Sequence, residues 1–165
     1  MKRVYLSLGS NLGDRRAYLA QALEEMRAAG IRVERVSSLY ETEPVGSPGH
    51  RPQGGWFLNC AVEAQTELMP RQLLRRLRRI EQRLGRKRSG RNSPRTVDLD
   101  ILLYEDRVMN TAELALPHPR LAERRFVLVP LAELAPGLRH PTLRKTVAEL
   151  LAKTPDRSRV RRWRG

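Results

Sequence analysis

Residues 92–107 read NSPRTVDLDILLYEDR, and the core of that stretch, VDLDILLY at 97–104, has five Val, Leu or Ile residues in eight positions yet carries Asp98 and Asp100. The apolar run predicts a buried strand. On a strand alternate residues share a face, so the two carboxylates point the same way, about 7 Å apart at ~3.3 Å per residue. Two like charges that close repel unless something positive lies between them. Ion pairs with nearby arginines would be the ordinary explanation for an Asp-x-Asp on a half-exposed strand. The flanks favour a second one. The loop GRKRSGRNSPR at 85–95 brings Arg86, Lys87, Arg88, Arg91 and Arg95 to the start of this strand. Paired hard oxygen ligands suit Mg²⁺, which typically takes one or two protein carboxylates and completes its shell with water and substrate phosphates. Two aspartates can also share two metals, roughly 4 Å apart, around a phosphoryl group in transit. Arginines alongside would grip the rest of a polyphosphate. Together these residues describe a phosphoryl-transfer site.

Working outward, RVYLSLGSN alternates Val4, Leu6 and Leu8 on one face and predicts a strand closed by a turn at Gly9. Asp14 is placed to cap a helix whose apolar positions are Leu19, Leu23 and Met26, stopped by Gly30. IRVERVSSLYETEP predicts a second strand that changes face partway, as at a bulge. The segment 44–55, PVGSPGHRPQGG, has three prolines and four glycines and predicts a loop able to act as a lid. WFLNCAVEAQTEL then alternates as a third strand, with Phe57, Asn59, Ala61 and Glu63 on one face and Leu58, Cys60 and Val62 on the other. Pro70 opens a second helix with Leu73, Leu74, Leu77, Ile80 and Leu84 as its apolar stripe and arginines opposite. After the Asp-bearing strand come short elements, a last amphipathic helix near 143–152, and a frayed basic tail from about 154. The order β-α-β-β-α-β predicts an α+β chain of the ferredoxin-like kind: a four-stranded antiparallel sheet with helices on one face and a C-terminal extension.

The chain has 165 residues, enough for one domain over 1–165 with a sizeable core. Its apolar runs fall far short of a membrane span, and its first residues turn polar too early for a signal peptide. One cysteine, Cys60, excludes an intrachain disulfide. A soluble, cytoplasmic monomer is expected. With 32 Lys and Arg against 18 Asp and Glu, a net charge of +14, the surface seeks anions, although heat adaptation also enriches charged networks. No G-x-x-x-x-G-K-[ST] or G-x-G-x-x-G phosphate cradle is present, and His50, His118 and His140 show no metal-ligand spacing.

The segments GSNLGD, YETEPVG, FLNCAV, RIEQRLGRKR, PRTVDLDILLY and LPHPRLAERRFVLVPLAELAP, with a following HP, occur in an order that resembles 6-hydroxymethyl-7,8-dihydropterin pyrophosphokinases, over nearly all of residues 3–141. The resemblance implies the ferredoxin-like fold, transfer of the β,γ-diphosphate of ATP to the pterin hydroxymethyl oxygen with release of AMP, and two Mg²⁺ ions held by Asp98 and Asp100. It implies ATP contacts at Glu81, Arg86, Arg88, Arg95, His118 and Arg124, with Arg86, Arg91 and Arg95 engaging the phosphates during catalysis. It implies pterin contacts at Thr42, Val45 and Asn59, with Phe57 and Phe126 sandwiching the ring. An amide such as Asn59 offers both donor and acceptor to a pyrimidinone edge.

Three features depart from that pattern: Asn92 replaces a loop tryptophan, Arg78 replaces a glutamine, and the second loop is one residue short. No strong general base is evident, so metals and arginines are expected to carry the reaction while loops 44–55 and 85–95 close. An RNA-binding module on the same fold, or a metal-dependent nuclease, would also use the charge. The first lacks the aromatic-rich strand it needs, and paired acids would repel a phosphate backbone. Neither nucleic acid nor membrane is expected as a partner.

Overall fold

The computed structural model describes residues 1–44, 55–85 and 96–165. Among the described residues the sheet has six strands: β1 (Lys2–Ser10), β2 (Ile31–Val36), β3 (Tyr40–Thr42), β4 (Phe57–Thr66), β5 (Asp98–Tyr104) and β8 (Val160–Arg162), with α1 (Arg15–Ala28), α2 (Pro70–Arg83), α3 (Arg125–Leu134) and α4 (Val147–Lys153) packed on it. The strand path is β5-β1-β4-β3-β8, with β2 also paired to β4, and every described pairing is antiparallel. A small ribbon of β6 (Met109–Asn110) and β7 (Ala115–Leu116) leads to a 3₁₀ turn at Leu121–Glu123. The interior order is the ferredoxin-like one expected from the sequence.

Local chemistry accounts for the element ends. Asp14 caps α1 by accepting from the Ala17 N–H at 3.1 Å, and Gly30, at φ 86°, turns the chain out of the helix. Pro70 stands at the first turn of α2, while the Gln72 side chain accepts from the Met69 N–H. Thr146 and Glu149 form a reciprocal cap on α4.

Several expectations change. The second strand is two strands, because the Ser37 hydroxyl accepts from the Ala61 N–H at 2.9 Å where a main-chain carbonyl would otherwise stand. The expected bulge is also there, as a register shift between Val33 and Arg35. Gly9 does not end β1: the strand runs on to Ser10. FVLVPLAEL belongs to α3 rather than to short elements, and the last helix begins at Val147, four residues later than its apolar pattern suggested, because Thr146 caps it there. Helices cover both faces of the sheet. Leu19, Ala22 and Met26 of α1 and Leu73, Leu77 and Ile80 of α2 bury one face with Val4, Leu6, Leu8, Leu58 and Val62. Val127, Leu128, Leu131, Val147 and Leu150 of the C-terminal extension bury the other with Tyr5, Ala61, Leu102 and Leu103. The segment expected to fray as a basic tail is instead ordered as β8, with Thr42 beside Val160 and Glu41 beside Arg161.

On the α3 face, Glu63 is buried and accepts from Tyr5 Oη at 3.0 Å and Arg35 Nε at 2.9 Å, while Arg35 Nη2 also reaches the Leu134 carbonyl at 2.8 Å. The Arg35 hydrogen bond, opposed by burial and aided by Tyr5, holds the Glu63 carboxyl below its ordinary value of 4.5. A depressed folded-state value gives stability that is complete above 4.5 and is lost as pH falls through the lower value. Glu63→Gln should therefore cost about 1.5–3 kcal/mol at neutral pH, the range for hydrogen bonds to charged groups. In urea unfolding followed by circular dichroism, the gap to the parent should close on acidification below 4.5; a gap independent of pH would show that charge is not its origin.

Candidate active site

The register of four strands builds a floor. Asp98 on β5 lies beside Gly9 on β1, Gly9 beside Asn59 on β4, and Asn59 beside Tyr40 on β3. One step along, Asp100 is beside Ser7 and Ser7 beside Ala61, while Thr42 is beside Phe57. Partners across an antiparallel pair share a face, so Asp98, Asp100, Asn59, Phe57 and Thr42 all rise from the face that α3 covers only in part. Neighbouring strands are ~4.8 Å apart, which puts the Asp pair about 10 Å from Asn59 with β1 between them.

Gly9 is what makes that interval passable. A Cβ there would fall 2.5 Å from Asn59 Oδ1 and 3.7 Å from Phe57 Cδ1, so the amide lies across a position where any other residue would stand. Asn59 is 3% exposed, and its Nδ2 donates to Thr42 Oγ1 at 2.6 Å. Gly9 was missed as a site residue, although a glycine inside an alternating strand is the usual mark of close approach.

The second wall is the segment entering α3. The His118 N–H donates to the Leu102 carbonyl at 2.9 Å, which anchors this segment to β5. His118 Nδ1 accepts from the Arg120 N–H at 3.1 Å, leaving Nε2 as the ring's donor. Burial lowers the imidazole pKa against the raising effect of Asp100, so the ring is neutral at neutral pH. Burial also lowers Arg124, with Asp100 and Asp98 acting in the opposite sense. The predicted ATP ligands His118 and Arg124 thus share one electrostatic environment with the predicted metal ligands. Phe126, at the first turn of α3, is half-buried at the edge of the core, with the Arg124 guanidinium 5.5 Å from its ring centroid.

Glu81 is 1% exposed. Its Oε2 accepts from the Leu99 N–H at 2.8 Å and its Oε1 accepts from Arg78 Nη1 at 3.0 Å. The carboxylate therefore grips the residue between Asp98 and Asp100, and Arg78, a departure from the resembled pattern, supplies its counter-charge. Val45, Arg86, Arg88, Arg91, Asn92 and Arg95, with most of the two expected lid loops, lie outside the described residues. Among the described residues no group of three or more His, Cys, Asp or Glu side chains is placed to hold a metal; two aspartates on one face are what the site offers.

The family model of 7,8-dihydro-6-hydroxymethylpterin-pyrophosphokinases matches residues 5–136. The chain is 48% identical over 154 residues to the 2-amino-4-hydroxy-6-hydroxymethyldihydropteridine pyrophosphokinase of Methylorubrum extorquens, covering 93% of this chain and 94% of that protein. It is 44% identical over 161 residues to the Bacillus subtilis enzyme of the same name, covering 97% and 89%, and 40% identical over 149 residues to that of Aquifex aeolicus, covering 90% of each. Among solved structures it resembles an HPPK-DHPS in complex with substrates, at TM-score 0.71 and 13% identity, and wild-type Plasmodium falciparum HPPK-DHPS, at TM-score 0.73 and 15% identity. Each covers 92% of this chain, and the chain spans under half of those longer proteins, 43% in both cases. At such identity the likeness is one of fold.

Gly9→Ala should destabilise the protein by about 1–3 kcal/mol, the usual range for overpacking. Asn59→Ala removes the obstructed group, so the double variant should lose clearly less than the two single losses combined in urea unfolding. Strict additivity would mean that the amide does not occupy the Gly9 gap.

Proposed function

As this chain belongs to the 7,8-dihydro-6-hydroxymethylpterin-pyrophosphokinase family, we propose that the corner of the sheet around Asp98, Gly9, Asn59 and Phe126 carries the family reaction in folate biosynthesis. One observation carries this reading: the register sets a paired carboxylate site and a buried amide side by side across a strand that has no side chain between them. The acceptor is the hydroxymethyl oxygen of the dihydropterin and the donor is ATP. The oxygen forms a bond to the β-phosphorus as the bond from that phosphorus to the α,β-bridging oxygen breaks. AMP leaves, the hydroxyl proton is lost, and the pterin diphosphate remains.

In this reading Asn59 and Thr42 hold the polar edge of the pterin, and Phe57 and Phe126 take its faces. Thr42 accepts from the Asn59 amide, which leaves the carbonyl and the second amide hydrogen to read a ring that needs both a donor and an acceptor. Asp98 and Asp100 fit two Mg²⁺ ions as oxygen ligands half-open to solvent, with ATP and water to complete the shells. Bound there, the ions would neutralise the triphosphate and offset the repulsion between the two aspartates. Arg124 and the neutral His118 donor face the same phosphates, joined by Arg86, Arg88, Arg91 and Arg95. Glu81 keeps the strand between the aspartates in register through Leu99. The acceleration comes from alignment and charge neutralisation. We read residues 1–165 as one pyrophosphokinase domain acting as a cytoplasmic monomer, which elution at the monomer mass in gel filtration would support.

Purified protein given ATP, Mg²⁺ and 6-hydroxymethyl-7,8-dihydropterin should form AMP only when both Mg²⁺ and the pterin are present. ADP as the product would overturn the diphosphate reading. Asp98→Ala should lower kcat by at least ~100-fold, as loss of a transition-state electrostatic contact does. Near-normal turnover in that variant would remove Asp98 from the metal site. Asn59→Ala should instead act on the pterin side, raising KM for the pterin about tenfold while KM for ATP changes less than about twofold.

A further inference from the structure

The residues after α4 touch both walls of the pterin site, and the geometry points to a brace that sets the distance between them. Asp156 reaches the first turn of α3: its Oδ2 accepts from the Arg125 N–H at 2.8 Å, next to Phe126, while its Oδ1 accepts from the Ser158 N–H at 2.9 Å. Arg124, the residue at the cap position of α3, makes no side-chain cap bond, so Asp156, 31 residues beyond Arg125, caps the helix instead. Arg125 Nε returns a bond to the Ser158 carbonyl at 3.2 Å. The chain then crosses to the opposite wall. The Glu43 N–H donates to the Arg159 carbonyl at 3.1 Å, the Arg159 N–H donates to Glu43 Oε1 at 2.7 Å, and the Trp163 N–H donates to the Leu39 carbonyl at 2.9 Å. Val160 lies beside Thr42 on the site face.

On the other face the same strand fixes Trp56, the residue before Phe57. The Arg161 and Arg159 guanidinium carbons sit 4.6 and 5.4 Å from the Trp56 ring centroid. Glu41 accepts from Arg161 Nη2 at 3.2 Å and pairs with Arg15 at 3.0 Å, and Arg15 Nη1 also donates to the Trp56 carbonyl at 2.8 Å. Residues 156–163 therefore connect the helix turn bearing Phe126, the strand bearing Thr42 and the residue preceding Phe57. Resting on the pterin-site reading above, Asp156, Arg159 and Arg161 are positioning residues whose main effect is on the pterin.

Three variants test this: truncation after Thr154, Asp156→Ala, and Arg159→Gln with Arg161→Gln. Each should raise KM for 6-hydroxymethyl-7,8-dihydropterin, by ~10-fold or more for the truncation and a few-fold for the others, with KM for ATP within about twofold of the parent. Asp156→Asn, which keeps an acceptor for the Arg125 N–H, should recover part of the loss. Should the truncation fail to fold, the side-chain variants decide, since they leave the β3–β8 ladder in place. Equal rises in both KM values, or a fall in kcat alone, would overturn the inference by showing general loosening; an unmodified protein that forms no AMP would instead defeat the reading on which it rests.

Discussion

At Gly9 the central strand carries no side chain, and the Asn59 amide occupies the space a Cβ would need. The rest of the site follows from that gap. β1 pairs with β5 on one side and β4 on the other, so the residue at this point separates the carboxylates of Asp98 and Asp100 from the polar edge formed by Asn59 and Thr42. Any larger residue would push the amide off Thr42 and fill the floor between the carboxylates and that amide. The backbone, by contrast, keeps its ladder bonds and leaves a flat surface between the two groups.

Charge is arranged around this floor by burial as much as by number. The chain holds 32 basic residues, yet those that bear on the described site are few and specifically placed. Arg124 and His118 are desolvated beside Asp100, where electrostatic interactions are stronger than on the open surface. Arg78 serves the buried Glu81, whose other oxygen holds the Leu99 N–H. The strand that carries the aspartates is thereby pinned from the helix beneath it, on the face opposite to the one from which they rise. Rigidity is supplied from the α2 side, and the carboxylates face the α3 side.

Much of this was legible in residue order. The alternation of Val4, Leu6 and Leu8, the helical spacing of Leu73, Leu77 and Ile80, the Asp14 cap and the Asp98–Asp100 pair all depend on contacts within a few residues, where the periods of strand and helix govern. The two-faced reading of β4 held because a strand's faces are set by parity alone, and Leu58, Cys60 and Val62 do enter one core cluster while Ala61 enters the other. The split of the second strand was not legible, since it turns on the Ser37 hydroxyl finding the Ala61 N–H across the sheet.

The sequence by itself determined which side chains share a face, where α1 and α2 begin, and, through its motifs, the family to which the chain belongs. Only the tertiary structure decided which faces meet. The register that lines up Asp98, Gly9 and Asn59 joins residues up to 89 positions apart by main-chain bonds that no local pattern specifies. The same holds for the C-terminal segment. SRVRRWRG reads as a solvated basic tail because its arginines are polar, and it becomes an edge strand because β3 offers unpaired main-chain groups and Glu41, Glu43 and Trp56 offer partners for those arginines. Periodicity reports the environment a residue prefers, whereas its partner is set by where the rest of the chain has already placed complementary groups.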